Sequence, residues 1–567
     1  MDACAQTLSS DFFNVADYLT RQARERPHQP AVVCPTGRDK DGRIAYSHFT
    51  FQQLDQDSDC LAHGLNQAGV RTGDRIILMV KPSFEFFSLV FALFKAGTVP
   101  VVVDPGMGLS RMLRCLAESR PGAFIGIPLA HILRTLAPRF FKSVKTYITV
   151  GRRWLWGGLT LKQIRVSPWR FYPMAQTRRD DLAAILFTTG STGPAKGAVY
   201  THGIFDAQIR MVASHFNISP GEIDLPTFPL FALFDPALGM TAVIPDMDPT
   251  RPAHVNPENI IQPILDHGVT NMFASPALLN RVGRYIQGKG IVLPTLKRII
   301  SAGAPVFPAN IERFMSVLVG GAQVHTPYGA TEAVPAISIA SAEILEETRR
   351  LSEQGHGMCV GRPLPGLEVR IIRITDDPIS LWSDDLLVPG GEIGEIAVKG
   401  EWVTKEYFER PEANALSKIR EGDHIWHRMG DLGWRDEKGR IWFCGRKSQR
   451  VIAENGTLFT IPCEAVFNNH PLVFRSALVG IGPRGRQKPV IIVELENGSH
   501  AVDKEELAQE LLALARSNEK TAAIETVLFH PSFPVDVRHN AKIFREKLTV
   551  WAGRKLKTLK TERKASD

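Results

Sequence analysis

The chain has 567 residues, of which 44% are hydrophobic and 22% charged, proportions that are ordinary for globular proteins and exclude a fibrous or disordered chain. This length predicts more than one domain. The formal net charge of +8 is spread thinly except in two places, residues 152–172 and the tail from Arg554. Both basic segments predict solvated surface, with contact to a membrane surface as the alternative, and no nucleic-acid partner is expected.

Neither export nor a membrane span is predicted. The first 21 residues lack a basic region followed by an apolar run, so no secretory signal is expected. The most apolar stretch, residues 86–103, is interrupted by Lys95, Gly97 and Pro100, which predicts protein core. The seven cysteines are scattered and never spaced Cys-x-x-Cys, which predicts reduced thiols in the cytoplasm and no zinc site.

Helical and strand-like segments alternate through the first half of the chain. Helices are predicted over 14–26, 52–68 and 82–96, and strands over 75–80, 99–103, 124–127, 146–150 and 183–187. Further on, helices are predicted over 257–267 and 277–286, and strands over 271–274 and 298–301. This rhythm predicts mostly parallel sheets with helices on both faces, whose ligands bind outside the carboxyl ends of the strands.

The rhythm changes after about residue 365 to short strands and turns, with strands predicted over 369–374, 395–398 and 441–443. From residue 446 a compact α+β unit is predicted, with strands over 477–480 and 490–494 and a helix over 504–515. We therefore predict an α/β fold with a large N-terminal domain, residues 1–445, that includes a β-rich subdomain. The predicted C-terminal α+β domain covers residues 446–567.

The stretch from Thr188 to Gly197 follows a predicted strand and packs hydroxyls, glycines and one lysine into ten residues. Small residues let consecutive backbone N–H groups turn toward one point, and Lys196 adds a positive charge, which together suit a polyphosphate. The stretch is not a Walker A loop, because Lys196 is followed by glycine instead of serine or threonine. On this stretch alone, an ordinary surface loop remains the alternative.

Four further clusters suit a nucleotide. Residues 301–305 are small enough for a flat ring to lie on the backbone, and residues 328–332 combine an aromatic face with a hydroxyl and a carboxylate, which suits base stacking and Mg²⁺. The carboxylate of Asp431, between glycines, suits the two hydroxyls of a ribose, and Lys542 lies at a predicted loop-to-helix junction. Each cluster has an ordinary alternative: a common turn, a half-buried tyrosine with a solvated glutamate, an Asp-Gly turn and an exposed lysine.

The order and spacing of these clusters resemble the adenylate-forming superfamily of acyl-CoA synthetases, peptide-synthetase adenylation domains and luciferases. The resemblance extends from Phe91 to Lys542. It implies catalytic roles for Lys542, Thr188, Lys196 and Glu332, with Glu332 also binding Mg²⁺. It implies ATP binding by the following residues: Thr189, Gly190, Ser191, Thr192 and Gly193 in the phosphate loop; Gly303, Ala304, Pro305, Tyr328, Gly329 and Thr331; and Asp431 and Arg446 at the ribose.

The implied chemistry is the activation of a carboxylate. A carboxylate is a poor electrophile, so its oxygen first attacks the α-phosphorus of ATP, pyrophosphate leaves, and acyl-AMP remains. The resemblance further implies that residues 446–567 form a mobile lid and that Lys542 reaches the α-phosphate and the substrate carboxylate. Because a lysine at its ordinary pKa is cationic at neutral pH, Lys542 is expected to act by charge and position, not as a base.

Departures from the common pattern narrow the choice within the superfamily. Asn540 and Ala541 precede the catalytic lysine where Ser/Thr-Gly is common, and the hinge after Arg446 lacks its usual acid. Residues 225–236 replace a segment that often contains histidine, and together with residues 243–252 they resemble the β-lactone synthetases of bacterial long-chain olefin biosynthesis. In that subgroup the acyl-AMP of a long-chain 2-alkyl-3-hydroxy acid is closed by its own 3-hydroxyl to a β-lactone, which releases AMP.

Several points stay open at this level. A long-chain fatty acyl-CoA ligase is the alternative function, and a catalytically silent scaffold is the third. His427, His539 and Asp235 are candidates for accepting the hydroxyl proton. The aromatic side chains of the replaced segment predict either an acyl tunnel or plain core: Phe228, Phe231 and Phe234. A cytoplasmic location is expected, and the resemblance implies an assembly with other enzymes of the olefin pathway.

Overall fold

The computed structural model describes residues 12–188, 195–496, 502–535 and 543–566, without the side chains of residues 105, 188 and 559–566. Within these residues the chain forms two large parallel sheets, a β-rich sheet and two small C-terminal sheets. Three groups of predicted site residues fall outside the described ranges: Thr189 to Gly193, His539 and Lys542. The α/β fold predicted from the sequence is confirmed.

The first parallel sheet is built from strands that are continuous apolar runs, as expected for strands covered on both faces. Its strands lie in this spatial order: Leu159–Thr160, Thr146–Thr149, Ala123–Gly126, Arg75–Met79, Val99–Val103, Leu182–Thr188 and Lys196–Thr201. Only the last pair is antiparallel. The predicted strands of this sheet are confirmed with small shifts at their ends, whereas Lys196–Thr201, which starts with a lysine and a glycine, is not among the predicted strands.

The second parallel sheet ends in an antiparallel hairpin. Its strands lie in this order: Gln323–His325, Arg298–Ser301, Asn271–Ala274, Ile223–Pro226, Thr241–Val243, Pro30–Arg38 and Ile44–Thr50. The predicted strands at 271–274 and 298–301 are confirmed. Because both sheets run parallel, the carboxyl ends of their strands gather the loops that follow them.

The β-rich sheet is antiparallel throughout. Its strands lie in this order, with Lys418–Glu421 paired to the side of His424–Arg435: Tyr328–Ala330, Ala333–Ser338, Met358–Pro363, Ile441–Arg446, His424–Arg435, Gly394–Lys399 and Glu368–Ile372. The prediction that this pattern begins near residue 365 is wrong, because it begins at Tyr328. Gly329 and Pro335 hide these first strands from a pattern search, since both residue types are rare within strands.

The C-terminal part contains the sheet Val473–Ile481, Lys488–Leu495 and Val527–Phe529 and the hairpin Val451–Ala453 with Gly456–Leu458. Phe467, Leu478, Ile491 and Leu511 are fully buried in a core of its own. The predicted strands at 477–480 and 490–494 and the helix at 504–515 are confirmed. The boundary at residue 445 stays a prediction.

Most helices pack on the faces of the parallel sheets. The helices of seven or more residues anywhere in the described ranges are Asp17–Glu25, Phe51–Gln67, Phe84–Lys95, Leu109–Glu118, Pro128–Leu136, His202–His215, Glu258–His267, Pro276–Ile286, Pro308–Met315, Pro411–Ser417, Thr460–Asn468, Lys504–Arg516 and Arg545–Ser566. The shorter ones are Leu161–Ile164, Pro229–Ala232, Phe234–Leu238, Ser341–Glu343 and Arg349–Glu353.

Helix Phe84–Lys95 contains most of the apolar stretch 86–103, for which the sequence predicts protein core and not a membrane span. Its residues from Phe86 onward are buried in the core, as predicted. Lys95 is buried with them because its ammonium group pairs with Asp55 and Asp59, at 2.7 and 2.6 Å. None of the helices in the described ranges combines the length and apolar character that crossing a bilayer requires.

Candidate active site

A cavity of about 1840 Å³ lies at the carboxyl ends of the parallel strands. Its walls include residues that follow directly after strands of both parallel sheets, among them Asp104, Thr227, Ser275 and Ala302. The first strands of the β-rich sheet close one side, through Gly329 and Ala330. The cavity therefore occupies the position that the alternating strands and helices predict for a ligand site.

One end of the cavity is polar. Six of the predicted site residues line it: Lys196, Gly303, Gly329, Thr331, Glu332 and Arg446. Gly303 has a φ of +95°, which explains a glycine at this point of the turn after Arg298–Ser301. The backbone carbonyl of Thr331 accepts a hydrogen bond from the hydroxyl of Tyr200, which fixes the loop that carries Glu332.

Glu332 is the buried carboxylate of this end. Its oxygen accepts a hydrogen bond from the hydroxyl of Tyr407, a residue that the motifs did not reveal because it is far away in the sequence. The ammonium group of Lys196 lies 4.9 Å from the centre of the Tyr407 ring. Burial lowers the pKa of Lys196, and the charge of Glu332 opposes that shift. Tyr407 thus contacts Glu332 through its hydroxyl and lies next to Lys196 through its ring.

A second lysine lies behind the same ring. The ammonium group of Lys418 is 5.4 Å from the centre of the Tyr407 ring and donates hydrogen bonds to the backbone carbonyl and the hydroxyl of Thr404. Burial lowers the pKa of Lys418 to about 7, with Glu332 opposing the shift and Lys196 adding to it. No sequence motif marks Lys418, because its position follows from strand pairing alone.

His427 faces Lys418 across the strand pair Lys418–Glu421 and His424–Arg435 and lines the cavity. Burial, reinforced by the charge of Lys418, holds the pKa of His427 well below its usual value. Its ring is therefore neutral at pH 7. The Nδ1 atom has no hydrogen-bond partner among the residues that the structure describes. An imidazole that is neutral at pH 7 has a lone pair at the cavity wall that can accept a proton, and the same burial makes this imidazole a weaker base than a free histidine.

Asp431 and Arg446 are opposite each other in the ladder between His424–Arg435 and Ile441–Arg446. That register brings the guanidinium group of Arg446 within 2.9 Å of the Asp431 carboxylate. The hydroxyl of Tyr328 donates a second contact to the carboxylate, at 2.6 Å. Burial raises the pKa of Asp431, and Arg446 and Tyr328 counter the rise. Asp431 thus lies within a strand, and the alternative of an Asp-Gly turn is wrong.

The remaining predicted residues are less exposed to the cavity. Tyr328 and Asp431 lie behind Arg446, and Ala304 and Pro305 follow Gly303 without lining the cavity wall. Thr188 ends the strand Leu182–Thr188, directly before residues that lie outside the described ranges, and its side chain is not described.

The other end of the cavity is apolar. Phe228, Phe231 and Phe234 all line it, in the segment that follows Ile223–Pro226. Phe231 also stacks on Phe273, with ring centres 4.0 Å apart. The sequence left open whether these side chains line an acyl tunnel or belong to the hydrophobic core. In the structure they line the cavity and also pack against core residues.

Asp235 is buried beside this end but does not line the cavity. Its carboxyl group faces that of Asp224, which accepts a hydrogen bond from Asn271 on the neighbouring strand. Burial and the charge of Asp224 raise the pKa of Asp235 well above its usual value, and burial raises that of Asp224 to about 7. A carboxyl group that keeps its proton cannot accept another, so the geometry favours His427 over Asp235 as the proton acceptor.

Comparison with known proteins shows the family of the chain. The family model described as AMP-binding enzyme matches residues 19–408. The chain is 48% identical to the olefin β-lactone synthetase of Stenotrophomonas maltophilia over 96% of this chain and 98% of that protein. It is also 48% identical to the olefin β-lactone synthetase of Xanthomonas campestris pv. campestris, over 95% of this chain and 97% of that protein.

Among solved structures, the ATP-bound MatB of Rhodopseudomonas palustris superimposes with a TM-score of 0.75, covering 95% of this chain and 99% of that chain at 21% identity. At that identity the likeness concerns the fold alone. The family match covers well over half of the chain, and both curated relatives are similar along nearly their whole length. The protein is therefore a member of the AMP-binding enzyme family, whose members form adenylates.

Proposed function

We propose that the protein uses ATP to activate a long-chain 2-alkyl-3-hydroxy acid as acyl-AMP and closes it through its own 3-hydroxyl. The products are a β-lactone, AMP and pyrophosphate. One observation carries the activation step: a single cavity joins an end that suits phosphates to an end that suits an alkyl chain. Similarity at 48% identity to two olefin β-lactone synthetases supports a lactone, instead of a thioester, as the product.

In the first step a carboxylate oxygen of the acid attacks the α-phosphorus of ATP, and the bond from that phosphorus to the pyrophosphate oxygen breaks. Lys196 places positive charge at the polar end, which stabilises the negative charge that builds up on the phosphate. We assign the phosphate loop, Thr188 to Gly193, to the phosphates, together with Thr331. Gly303, Ala304, Pro305, Tyr328 and Gly329 take the adenine, and Asp431 with Arg446 takes the ribose.

Mg²⁺ fits this end of the cavity as a partner of the nucleotide. No group of three acidic, histidine or cysteine side chains suited to a metal occurs in the described residues, so a protein-only cage is not found there. A single carboxylate with substrate phosphates and water is the usual way in which Mg²⁺ is held. Glu332, fixed by Tyr407, supplies that carboxylate. When bound, the metal neutralises charge on the phosphates.

In the second step the 3-hydroxyl oxygen attacks the acyl carbonyl carbon, and the bond from that carbon to the AMP oxygen breaks. Because nucleophile and electrophile belong to one molecule, holding the chain in a folded conformation supplies much of the rate. The hydroxyl proton needs an acceptor that is neutral at working pH. We assign this role to His427, which lines the cavity in its neutral form.

We assign residues 446–567 to a lid domain that carries Lys542 toward the α-phosphate and the acid during activation. The described part of this segment meets the rest of the chain through ion pairs at the proposed hinge. Lys447 pairs with Glu395 at 2.9 Å, and Arg450 pairs with Asp376 at 3.0 Å. If Lys542→Ala released pyrophosphate at the rate of the parent enzyme with the same acid, this role would be wrong.

A cytoplasmic location and an assembly with other enzymes of the olefin pathway are part of the proposal. Co-purification of a tagged protein with those enzymes from the cytosolic fraction tests both. Recovery of the protein alone from that fraction contradicts the assembly and leaves the activity untouched.

The central experiment incubates the protein with ATP, Mg²⁺ and a long-chain 2-alkyl-3-hydroxy acid, with and without coenzyme A. We expect a β-lactone and one pyrophosphate per lactone in both cases. The matched control is the same acid without its 3-hydroxyl, which forms acyl-AMP but no lactone. A CoA thioester as the sole product would instead favour the acyl-CoA ligase function, and no pyrophosphate with any acid would favour a silent scaffold.

The variant His427→Gln tests the second step separately. We expect pyrophosphate release in the first turnover to remain while lactone formation falls by about 10²-fold, the usual contribution of a general base. Acyl-AMP should then accumulate and be detectable by mass spectrometry after acid quenching. Equal losses in both steps would show that His427 only supports the fold of the site.

A further inference from the structure

The helix Pro128–Leu136 contributes an apolar part of the cavity wall, through Leu129, Ala130, Ile132, Leu133 and Leu136. Leu129 and Leu136 both line the cavity, yet they are 70% and 79% exposed to solvent. Leucines that border a cavity and solvent at once mark the place where the cavity opens. This mouth is therefore lined by apolar side chains, which suit the alkyl chain of the proposed substrate.

A loop with two more exposed apolar residues is fixed to this helix. Trp154 is 55% exposed, and Leu155 is fully exposed. The neighbouring Trp156 stacks on His131 of the helix, with ring centres 5.5 Å apart and planes nearly parallel. Arg134 of the helix also donates a hydrogen bond to the carbonyl of Trp156, at 3.1 Å. The loop and the helix thus form one surface, which we call the mouth surface: Leu129, Leu136, Arg152, Arg153, Trp154 and Leu155.

The charge around this surface is one-sided. The 61 residues between Glu118 and Asp180 contain twelve lysines and arginines and neither aspartate nor glutamate, a net charge of +12. The whole chain carries +8, so the remainder of the protein has a net charge of −4. Within the described residues, the ion pairs formed by this segment are those of Arg120, Arg165 and Arg179. The exposed Arg152 and Arg153 of the mouth surface are not among them.

We infer that the mouth surface docks on an anionic phospholipid bilayer, from which the long-chain acid enters the cavity. Tryptophan favours the interface between headgroups and acyl chains, exposed leucines insert just below it, and arginines attract anionic headgroups. An apolar patch rimmed by basic residues at a cavity mouth has all three features together. The proposal depends on the proposed function only in taking a lipid-like acid as the molecule that enters.

Flotation with lipid vesicles tests the inference on the full-length protein. Wild-type protein should float with vesicles of mixed phosphatidylglycerol and phosphatidylcholine and stay behind with vesicles of phosphatidylcholine alone. Leu155→Asp and Arg152→Glu should each weaken binding to the mixed vesicles by roughly fivefold or more. The matched controls are Leu381→Asp, at an exposed leucine of the β-rich subdomain, and Lys40→Glu, at an exposed lysine outside the basic segment, and both should bind like the wild type.

Neither Leu155 nor Arg152 lines the cavity, so pyrophosphate release with a short, water-soluble 3-hydroxy acid should stay unchanged in both variants and shows that they fold. The inference would be overturned if vesicle binding did not depend on anionic lipid, or if Leu155→Asp bound the mixed vesicles as well as the wild type. Unchanged vesicle binding with loss of a co-purifying enzyme would also overturn it and assign the surface to a protein partner. A failure of lactone formation with normal vesicle binding would reject the proposed function and leave the docking surface standing.

Discussion

The two ends of the cavity are built in different ways. At the polar end each buried charge has a partner on another element: Glu332 with Tyr407, and Asp431 with Arg446. The pair of Asp431 and Arg446 follows from strand register, whereas the pair of Glu332 and Tyr407 joins residues 75 positions apart. At the apolar end, Phe231 lies in the short helix Pro229–Ala232, and Phe228 directly precedes that helix. Phe231 packs against both Phe228 and Phe273.

The difference separates two parts of the proposed chemistry. A polar end with fixed charges serves the activation of a carboxylate with ATP, whatever its chain. The apolar end and its mouth decide which acid enters and how it folds over the acyl-AMP. Changes at the first end should therefore lower the rate with every acid, and changes at the second end should alter the choice among acids.

The largest effect is expected at Glu332. Glu332→Gln removes the buried negative charge that the proposed Mg²⁺ needs, so pyrophosphate release should fall by about 10²- to 10³-fold with long and short acids alike. Tyr407→Phe is the matched control, because it keeps the ring between the two lysines and removes only one hydrogen bond, at a cost of about tenfold. Equal effects of the two variants would contradict the role of the carboxylate.

A smaller effect is expected at Asp431. Asp431→Asn weakens the contact to Arg446 and the proposed contact to ribose, so the KM for ATP should rise by about 10- to 100-fold while the KM for the acid changes little. Asp436→Asn is the control, because this carboxylate pairs with Arg440, which does not line the cavity, whereas Asp431 pairs with Arg446, which does. A rise in the KM for the acid alone would break the proposed division between the two ends.

At the apolar end, Phe234→Trp should shift the choice of acid. A larger ring narrows the cavity, so kcat/KM should fall by about tenfold for long chains and stay constant for short ones. Phe474→Trp, at a partly exposed position of the C-terminal sheet, is the control for the added ring. A uniform loss over all chain lengths would show that Phe234 supports the fold and does not select the acid.

The smallest effect concerns stability at the buried pair Asp224 and Asp235. Both folded pKa values are raised by burial, to about 7 for Asp224, so the pair stabilises the fold at low pH and loses that contribution as pH rises from about 4 through 7. Asp235→Asn removes one ionisable group, so the variant should be more stable than the parent at pH 8, by about 1 kcal/mol, with little difference at pH 4. Denaturant unfolding at both pH values measures this, and parallel pH profiles would rule it out.

Local sequence was enough for much of the fold. The continuous apolar runs at 99–103 and 183–187 predicted strands that the structure contains, because such strands are covered on both faces. The early start of the β-rich sheet was missed, since Gly329 and Pro335 do not look like strand residues. Patterns of this kind report burial within a few residues and carry no information about which strand lies beside which.

By itself the sequence predicted which short clusters bind a nucleotide, and it grouped Lys196, Glu332 and Asp431 into one expected site. Only the tertiary structure brought Tyr407 and Lys418 to that site: the Tyr407 hydroxyl donates a hydrogen bond to Glu332, 75 residues away in the chain, and the Lys418 ammonium group lies 5.4 Å from the centre of the Tyr407 ring. It also turned Asp235 toward Asp224 and joined Leu129 and Trp154 in one surface at the cavity mouth. The physical reason is that charge pairing and packing depend on distance in space, and residues that are close in space are often far apart in the sequence.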